Sequence, residues 1–155
     1  TTLTHYQKLL NEIWLVSGIQ KFSGSKIQVR SSTPKWLVYN TSFPSVYDNQ
    51  DFNSIKNHPV KWGRRVEQVI GSHLLNSSRI NNFQVYYWRD GNEEIDFIIQ
   101  KSDKIIPIEV KTGKLKQHNG LVSFSNKCKV KKPLLISDDS LKWQEFLSLN
   151  INELF

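Results

Sequence analysis

Between residues 83 and 111 the chain reads FQVYYWRD, EEIDFIIQ and KIIPIEVK in close succession. β-Branched and aromatic residues fill these runs, and only Gly91-Asn92 and a short Lys-Ser-Asp-Lys turn separate them. Strands joined by loops this short are antiparallel neighbours, so the stretch dictates a three-strand meander. Ahead of it, Pro59 stands where a helix can start, and VKWGRRVEQVIGSHLL places Val66, Val69, Ile70 and Leu74 at helical spacing. Behind it, LVSFSNKCK reads as a helix, KPLLIS as a strand and SLKWQEFLSL as a closing helix. The order helix, three strands, helix, strand, helix predicts an α/β sandwich built on a mixed sheet.

The N-terminal part has a different texture. Tyr6, Leu9, Leu10 and Ile13 predict a helix over 3–16, ended by Ser17-Gly18. Short strands follow near 19–22, 26–30 and 36–39, between Ser-Gly and Thr-Pro turns. A helix followed by a small ribbon matches the second half of a winged helix. Residues 40–58 are polar and turn-rich and read as a linker. The expected division is therefore 1–58, a partial winged-helix segment and linker, and 59–155, the α/β domain. The chain has no methionine and opens within a helical pattern, which reads as a piece of a longer protein.

Charge is concentrated. Residues 101–132 hold nine lysines against Asp103 and Glu109, while the remainder balances at 12 basic and 12 acidic, so the formal net charge of +7 sits in one segment. Two readings stand: a polyanionic partner, with nucleic acid the commonest, or a solvated lysine-rich face. No apolar run reaches the roughly 20 residues that span a bilayer. The single cysteine, Cys128, excludes an internal disulfide and a cysteine-based zinc cage, and a reducing cytoplasmic setting is the expectation. Cys128 lies among lysines that would lower its pKa, but no motif marks it as a nucleophile.

Chemistry is suggested by IIPIEVKTGK, residues 105–114, where Glu109 and Lys111 interrupt a run of strand formers. With Ser102-Asp103 as a two-residue hairpin loop, opposed residues sum to 205. Asp96 then faces Glu109, and Glu94 faces Lys111. Two carboxylates opposed across a ladder repel, which makes sense if a hard divalent cation such as Mg²⁺ sits between them. Lys111 beside it would stabilise negative charge on a phosphate under attack. Pro107 warns of a bulge or edge position, and a one-residue slip would turn Asp96 away from Glu109. On the preceding helix, Gly63, Glu67 and Gly71 share one stripe. The two glycines permit a close approach that would bring Glu67 toward the same site. An ordinary ion pair for Glu109–Lys111, and a solvated Glu67, are the competing readings.

Glu67, Asp96 and the Glu109-Val110-Lys111 element, in that order on helix, strand and strand, resemble the PD-(D/E)XK nuclease superfamily. The resemblance implies a restriction-endonuclease-like core in which Asp96, Glu109 and a backbone carbonyl near Val110 bind Mg²⁺ or Mn²⁺. It also implies that Lys111 orients the attacking water or stabilises the transition state, and that Glu67 is the helix-borne acid. Ile95 stands where many members carry proline. A wider match, through YYWRDGNEEIDFII, PIEVKTG, TLTHYQKLLNEIWLVSGIQKF and TPKWLVYN, is similar to the C-terminal domain of bacterial and archaeal AAA-type ATPases known as domain of unknown function 4143. Asn40 replaces an aspartate common in that family after the lysine-bearing strand. The resemblance implies an upstream ATPase module. The chain itself has no GxxxxGK[ST] phosphate loop.

Lys114, Lys116, Gln117 and Arg89 are candidates for contact with a DNA backbone, with solubility or local ion pairing as the alternatives. The four histidines lack metal-ligand spacing. The expected function is Mg²⁺-dependent hydrolysis of DNA phosphodiesters; the alternative is a catalytically inactive module binding nucleic acid or a protein partner.

Overall fold

The computed structural model describes residues 2–23, 32–112, 119–128, 130 and 132–155. The meander forms as its turns require. Strands β3 (Gln84–Asp90), β4 (Glu93–Lys101) and β5 (Lys104–Val110) are consecutive antiparallel neighbours. Every β4–β5 pair from Lys101–Lys104 to Phe97–Ile108 obeys the two-residue loop, with Ser102 at φ +53° in its turn. Pro107 causes no slip. It pairs with Ile98 in an interior strand, one residue ahead of the first pair to the following strand.

Numbered in chain order, the other elements are α1 (Thr2–Glu12), β1 (Val16–Lys21), β2 (Lys35–Val38), α2 (Ser42–Val46), α3 (Phe52–Lys56), α4 (Pro59–Asn81), α5 (Asn119–Lys127), β6 (Leu134–Ile136) and α6 (Trp143–Ser148). A closing 3-10 turn covers Ile151–Leu154. The six strands form one mixed sheet in the order β2-β1-β3-β4-β5-β6, with β1 parallel to β3 and β5 parallel to β6. The α/β sandwich on a mixed sheet is thus present. Both faces are covered. On one, α4 supplies Val66, Ile70, Leu74 and Leu75 against Leu37, Phe97, Ile99, Ile108 and Ile136. On the other, Leu121 and Phe124 of α5 pack on Phe22, Trp88, Ile95 and Ile98.

Several expectations change on the N-terminal side. The first helix stops at Glu12, not 16. Trp14 takes φ +60°, which turns the chain, and Val16 opens β1. The expected helix overruns because Ile13, Trp14, Leu15 and Val16 extend the apolar pattern past Glu12. The stretch read as a linker carries α2 and α3, the latter capped by Asp51 through Asn53 N and Ser54 N. Residues 26–30, expected as a strand, lie outside the described residues. β1 and β2 are an antiparallel pair, and β1 continues onto β3 through Gln20–Tyr86 and Lys21–Tyr87. Residues on both sides of position 58 therefore share one sheet and one core.

Close approaches are made where glycine omits a side chain. A Cβ on Gly71 would stand 2.9 Å from Leu37 Cδ2 and 3.0 Å from Phe97 Cζ, so α4 settles onto β2 and β4 at that point. A Cβ on Gly120 would overlap the carbonyl oxygen of Glu94, which fixes the start of α5 over the beginning of β4. Among the described residues, no helix is long and apolar enough to cross a membrane.

Candidate active site

The β4–β5 ladder ends at Phe97–Ile108. Beyond it the two central strands follow opposite neighbours. β5 stays with β6 through Glu109–Leu135, Val110–Ile136 and a bond from Lys111 N to Ile136 O of 2.8 Å. β4 stays with β3 through Trp88–Ile95 and Arg89–Glu94. The register expected from the turn is correct, but Asp96 and Glu109 are not a ladder pair, nor are Glu94 and Lys111. The strands part where two carboxylates would have been opposed. In the gap, Asp96 Oδ2 accepts a hydrogen bond from Val110 N at 2.9 Å. Val110 thus enters the cluster through its N–H.

A bulge aims Asp96. Tyr86 pairs with Ile98 but Trp88 pairs with Ile95, so Asp96 and Phe97 together oppose Tyr87. The side-chain alternation resets there. Ile95 and Ile98 pack on the α5 side, whereas Phe97 and Ile99 pack on the α4 side. Regular alternation would have given Asp96 the same face as Ile98, away from α4. Glu109 obeys its own alternation between Ile108 and Val110, whose side chains join the α4-side core. The expectation that Asp96 and Glu109 sit on matching faces of a continuous ladder is replaced by a cluster straddling the opening between parted strands.

One partner in the cluster is a lysine absent from the expected site residues. Lys35 Nζ lies 2.5 Å from Glu67 Oε1, 3.6 Å from Asp96 Oδ1 and 4.0 Å from Glu94 Oε1. It also donates to the Asp96 backbone carbonyl at 3.4 Å and sits 5.0 Å from the centre of the Phe97 ring. Its position follows from the packing of β2 on α4. Lys35 and Leu37 share a strand face, Glu67 and Gly71 share a helix face, and the Leu37–Gly71 contact brings Lys35 to Glu67. The strand is held at both ends: Ser72 Oγ and Asn76 Nδ2 donate to Tyr39 O at 2.5 and 2.9 Å, and Tyr87 OH donates to Thr33 O at 2.7 Å. The signal was in KWLV itself, where a lysine two residues before an inward-facing leucine must also face inward.

Lys111 Nζ pairs with Glu109 Oε1 at 2.5 Å. Glu109 is only 7% exposed, and its Oε2 has no hydrogen-bond partner among the described residues. A buried unpaired carboxylate oxygen is costly, so the atom is an open valence of the site. Burial, reinforced by Glu109 and Glu67, pushes the Asp96 carboxyl up to about 7, against the opposing pull of Lys35 and the Val110 N–H. For Lys35, burial favours the neutral amine, but Asp96, Glu67 and Glu94 outweigh it and the pKa is raised. Lys111 behaves alike: burial acts downward, and its bond to Glu109 carries the pKa above the ordinary value. Both ammonium groups are therefore charged at neutral pH.

The donor chemistry suits a hard divalent cation. Asp96 and Glu109 offer oxygen only, one of those oxygens is buried without a partner, and two carboxylates completed by water or phosphate is the usual way Mg²⁺ is held. Among the described residues, no three His, Cys, Asp or Glu side chains form a ready-made metal cage.

Arg89 is exposed near the end of β3, in register with Glu94, and makes none of the ion pairs of the cluster. Lys114, Lys116 and Gln117 lie outside the described residues. Other lysines of the basic stretch are engaged locally: Lys101 with Asn152, Lys104 with the Phe155 carbonyl, and Lys127 with Asp90 and the Trp88 ring. Asn40 Oδ1 accepts from Ser42 N and Oγ at 3.0 and 2.7 Å at the entrance to α2. Burial pushes the Cys128 thiol up despite Lys127, the reverse of what an activated nucleophile needs.

No curated protein and no solved structure matches the chain. A family model does match, over residues 62–151, more than half of the 155-residue chain, and takes in α4, the meander, α5, β6 and α6. Glu67, Asp96, Glu109 and Lys111 fall inside that span, whereas Lys35 falls outside it. The chain belongs to the family described as Domain of unknown function (DUF4143).

Proposed function

We propose that the chain is a metal-dependent phosphodiesterase module acting on DNA, with a restriction-endonuclease-like core, and that it works as the C-terminal part of an AAA-type ATPase. The observation that carries the reading is the opening between β4 and β5, where Asp96, the half-satisfied Glu109 and the Glu109–Lys111 pair meet. The helix, three strands, helix, strand order around this opening supports the core assignment. Asp96 and Glu109 would hold Mg²⁺ or Mn²⁺. Such a cation, when bound, supplies charge stabilisation at phosphoryl oxygen and an acidified water. Lys111, fixed by Glu109, positions positive charge for the pentavalent phosphate or orients the attacking water. Glu67 anchors the α4 side of the cluster through Lys35. The excess of lysine over residues 101–132 favours a polyanionic substrate.

Incubating the protein with supercoiled, linear and single-stranded DNA in Mg²⁺ or Mn²⁺ tests this. Lys111→Ala should lower cleavage by about 10²-fold or more, as for loss of one preorganised charge donor. Cleavage at full rate in that variant would sink the mechanism.

A second reading is favoured by one observation: Lys35 already neutralises Glu67 and Asp96 in a cluster with no ready-made cage among the described residues. On that reading the module binds nucleic acid or a partner without chemistry. Retained DNA affinity with no Mg²⁺ or Mn²⁺ uptake in calorimetry would select it.

A further inference from the structure

Both carboxylate oxygens of Asp96 are already engaged. Oδ2 takes the Val110 N–H at 2.9 Å, and Oδ1 faces the Lys35 ammonium at 3.6 Å. The ammonium is gripped in turn by Glu67 at 2.5 Å and by the Asp96 carbonyl at 3.4 Å. Of the two acids assigned to the metal, only Glu109 has an oxygen without a partner among the described residues. A divalent cation reaching Asp96 meets a positive charge within a few ångströms of the same carboxylate. Like charges this close repel strongly in a partly buried setting.

We propose that Lys35 is a tethered cation that competes with the divalent metal for Asp96, so that β2, outside the segment carrying the acids, sets how readily the site loads. The proposal rests on the metal-site reading above. The backbone of β2 cannot drift to relieve the conflict, because Leu37 is seated in the Gly71 notch and Tyr39 O is held by Ser72 and Asn76. The side chain can move. It is a flexible four-carbon stem, 21% exposed, with Glu94 as an alternative partner on the outer side at 4.0 Å. Metal binding therefore proceeds with Lys35 swinging from Asp96, which retains its bond to Glu67 or passes to Glu94. In the metal-free protein Lys35 does the opposite work, neutralising acids that would otherwise force β2, α4 and β4 apart.

The test uses Mn²⁺ alone as the probe and the whole 155-residue chain. Calorimetric titration of the parent, Lys35→Gln and Lys35→Arg should show Lys35→Gln binding about tenfold tighter, a modest fraction of the repulsion removed. Lys35→Arg, which keeps the charge, should stay near the parent. In the parent, acylation of Lys35 by an amine-reactive ester, read by peptide mass spectrometry, should rise severalfold on adding Mn²⁺. This second measurement needs no substitution and stands if Lys35→Gln does not fold. Equal or weaker Mn²⁺ binding by a folded Lys35→Gln, or Lys35 acylation unmoved by bound Mn²⁺, overturns the competition and leaves the metal site intact. Absence of Mn²⁺ binding in all three proteins overturns the metal-site reading, and the competition with it.

Discussion

Asp96 Oδ2 accepts the Val110 N–H at 2.9 Å, so a side chain of β4 replaces a ladder bond that the backbones of β4 and β5 no longer make. The carboxyl is thereby buried beside Glu109 and Glu67, and its pKa rises to about 7. In the unfolded chain it titrates near the ordinary 3.8.

A pH-dependent stability follows, and its sign is set by the direction of that shift. Between about pH 4 and pH 7 the folded protein holds a proton that the unfolded chain releases, so this contribution is full below pH 4 and lost as pH rises through 7. Asp96→Asn keeps an acceptor for Val110 N–H and removes the charge. In chelator it should melt with the parent near pH 4 and be more stable at pH 8, by an amount on the order of 1–3 kcal/mol. Thermal melts across this range check it; parallel curves at all pH values would contradict the buried-acid account.

Gly120→Ala should destabilise despite better helix propensity. Alanine gains about 1 kcal/mol within a helix, but its Cβ would overlap the backbone carbonyl of Glu94, which cannot rotate away as a side chain can. Overpacking of this kind costs about 1–3 kcal/mol, so a net loss of about 1–2 kcal/mol is expected in urea denaturation. Because Glu94 lies two residues before Asp96 in the same strand, Mn²⁺ affinity should fall as well.

Residues 59–155, expressed without the N-terminal segment, should lose cooperative unfolding although they contain the whole family match. The cut removes Ile19 and Leu37, each 4% exposed, from the α4-side core, and it leaves the inner strand β3 as an edge. Near-ultraviolet circular dichroism and binding of an apolar dye would report the loss; a sharp transition matching that of the full chain would contradict it.

The sequence made some of this legible and hid the rest for identifiable reasons. The pairing of β4 with β5 was readable because a two-residue loop leaves a single register, and each pair from 101–104 to 97–108 obeys it. The bulge at Asp96 and Phe97 was not readable. It is a mismatch of one residue between the pairs Trp88–Ile95 and Tyr86–Ile98, and it depends on packing against both α4 and α5 instead of on any turn signal. Glu67 was found through its flanking glycines, since a helix that omits side chains advertises a close neighbour. Lys35 was missed because β2 read as part of a separate ribbon. Its partners lie 32 residues or more away, reached only after β1 joins β3 across the whole of α4.

That last junction has a consequence for the order of assembly. β3, β4 and β5 close over two-residue turns and can zip from contacts between near neighbours in the chain. β1 meets β3 by pairing Gln20 with Tyr86, a junction that waits on the chain between them. This topology predicts that the acids of β4 and β5 gather early and that the amine from β2 reaches them late. On that order the nascent cluster would carry surplus negative charge, and cations dissolved in the surrounding water would be its first counterions.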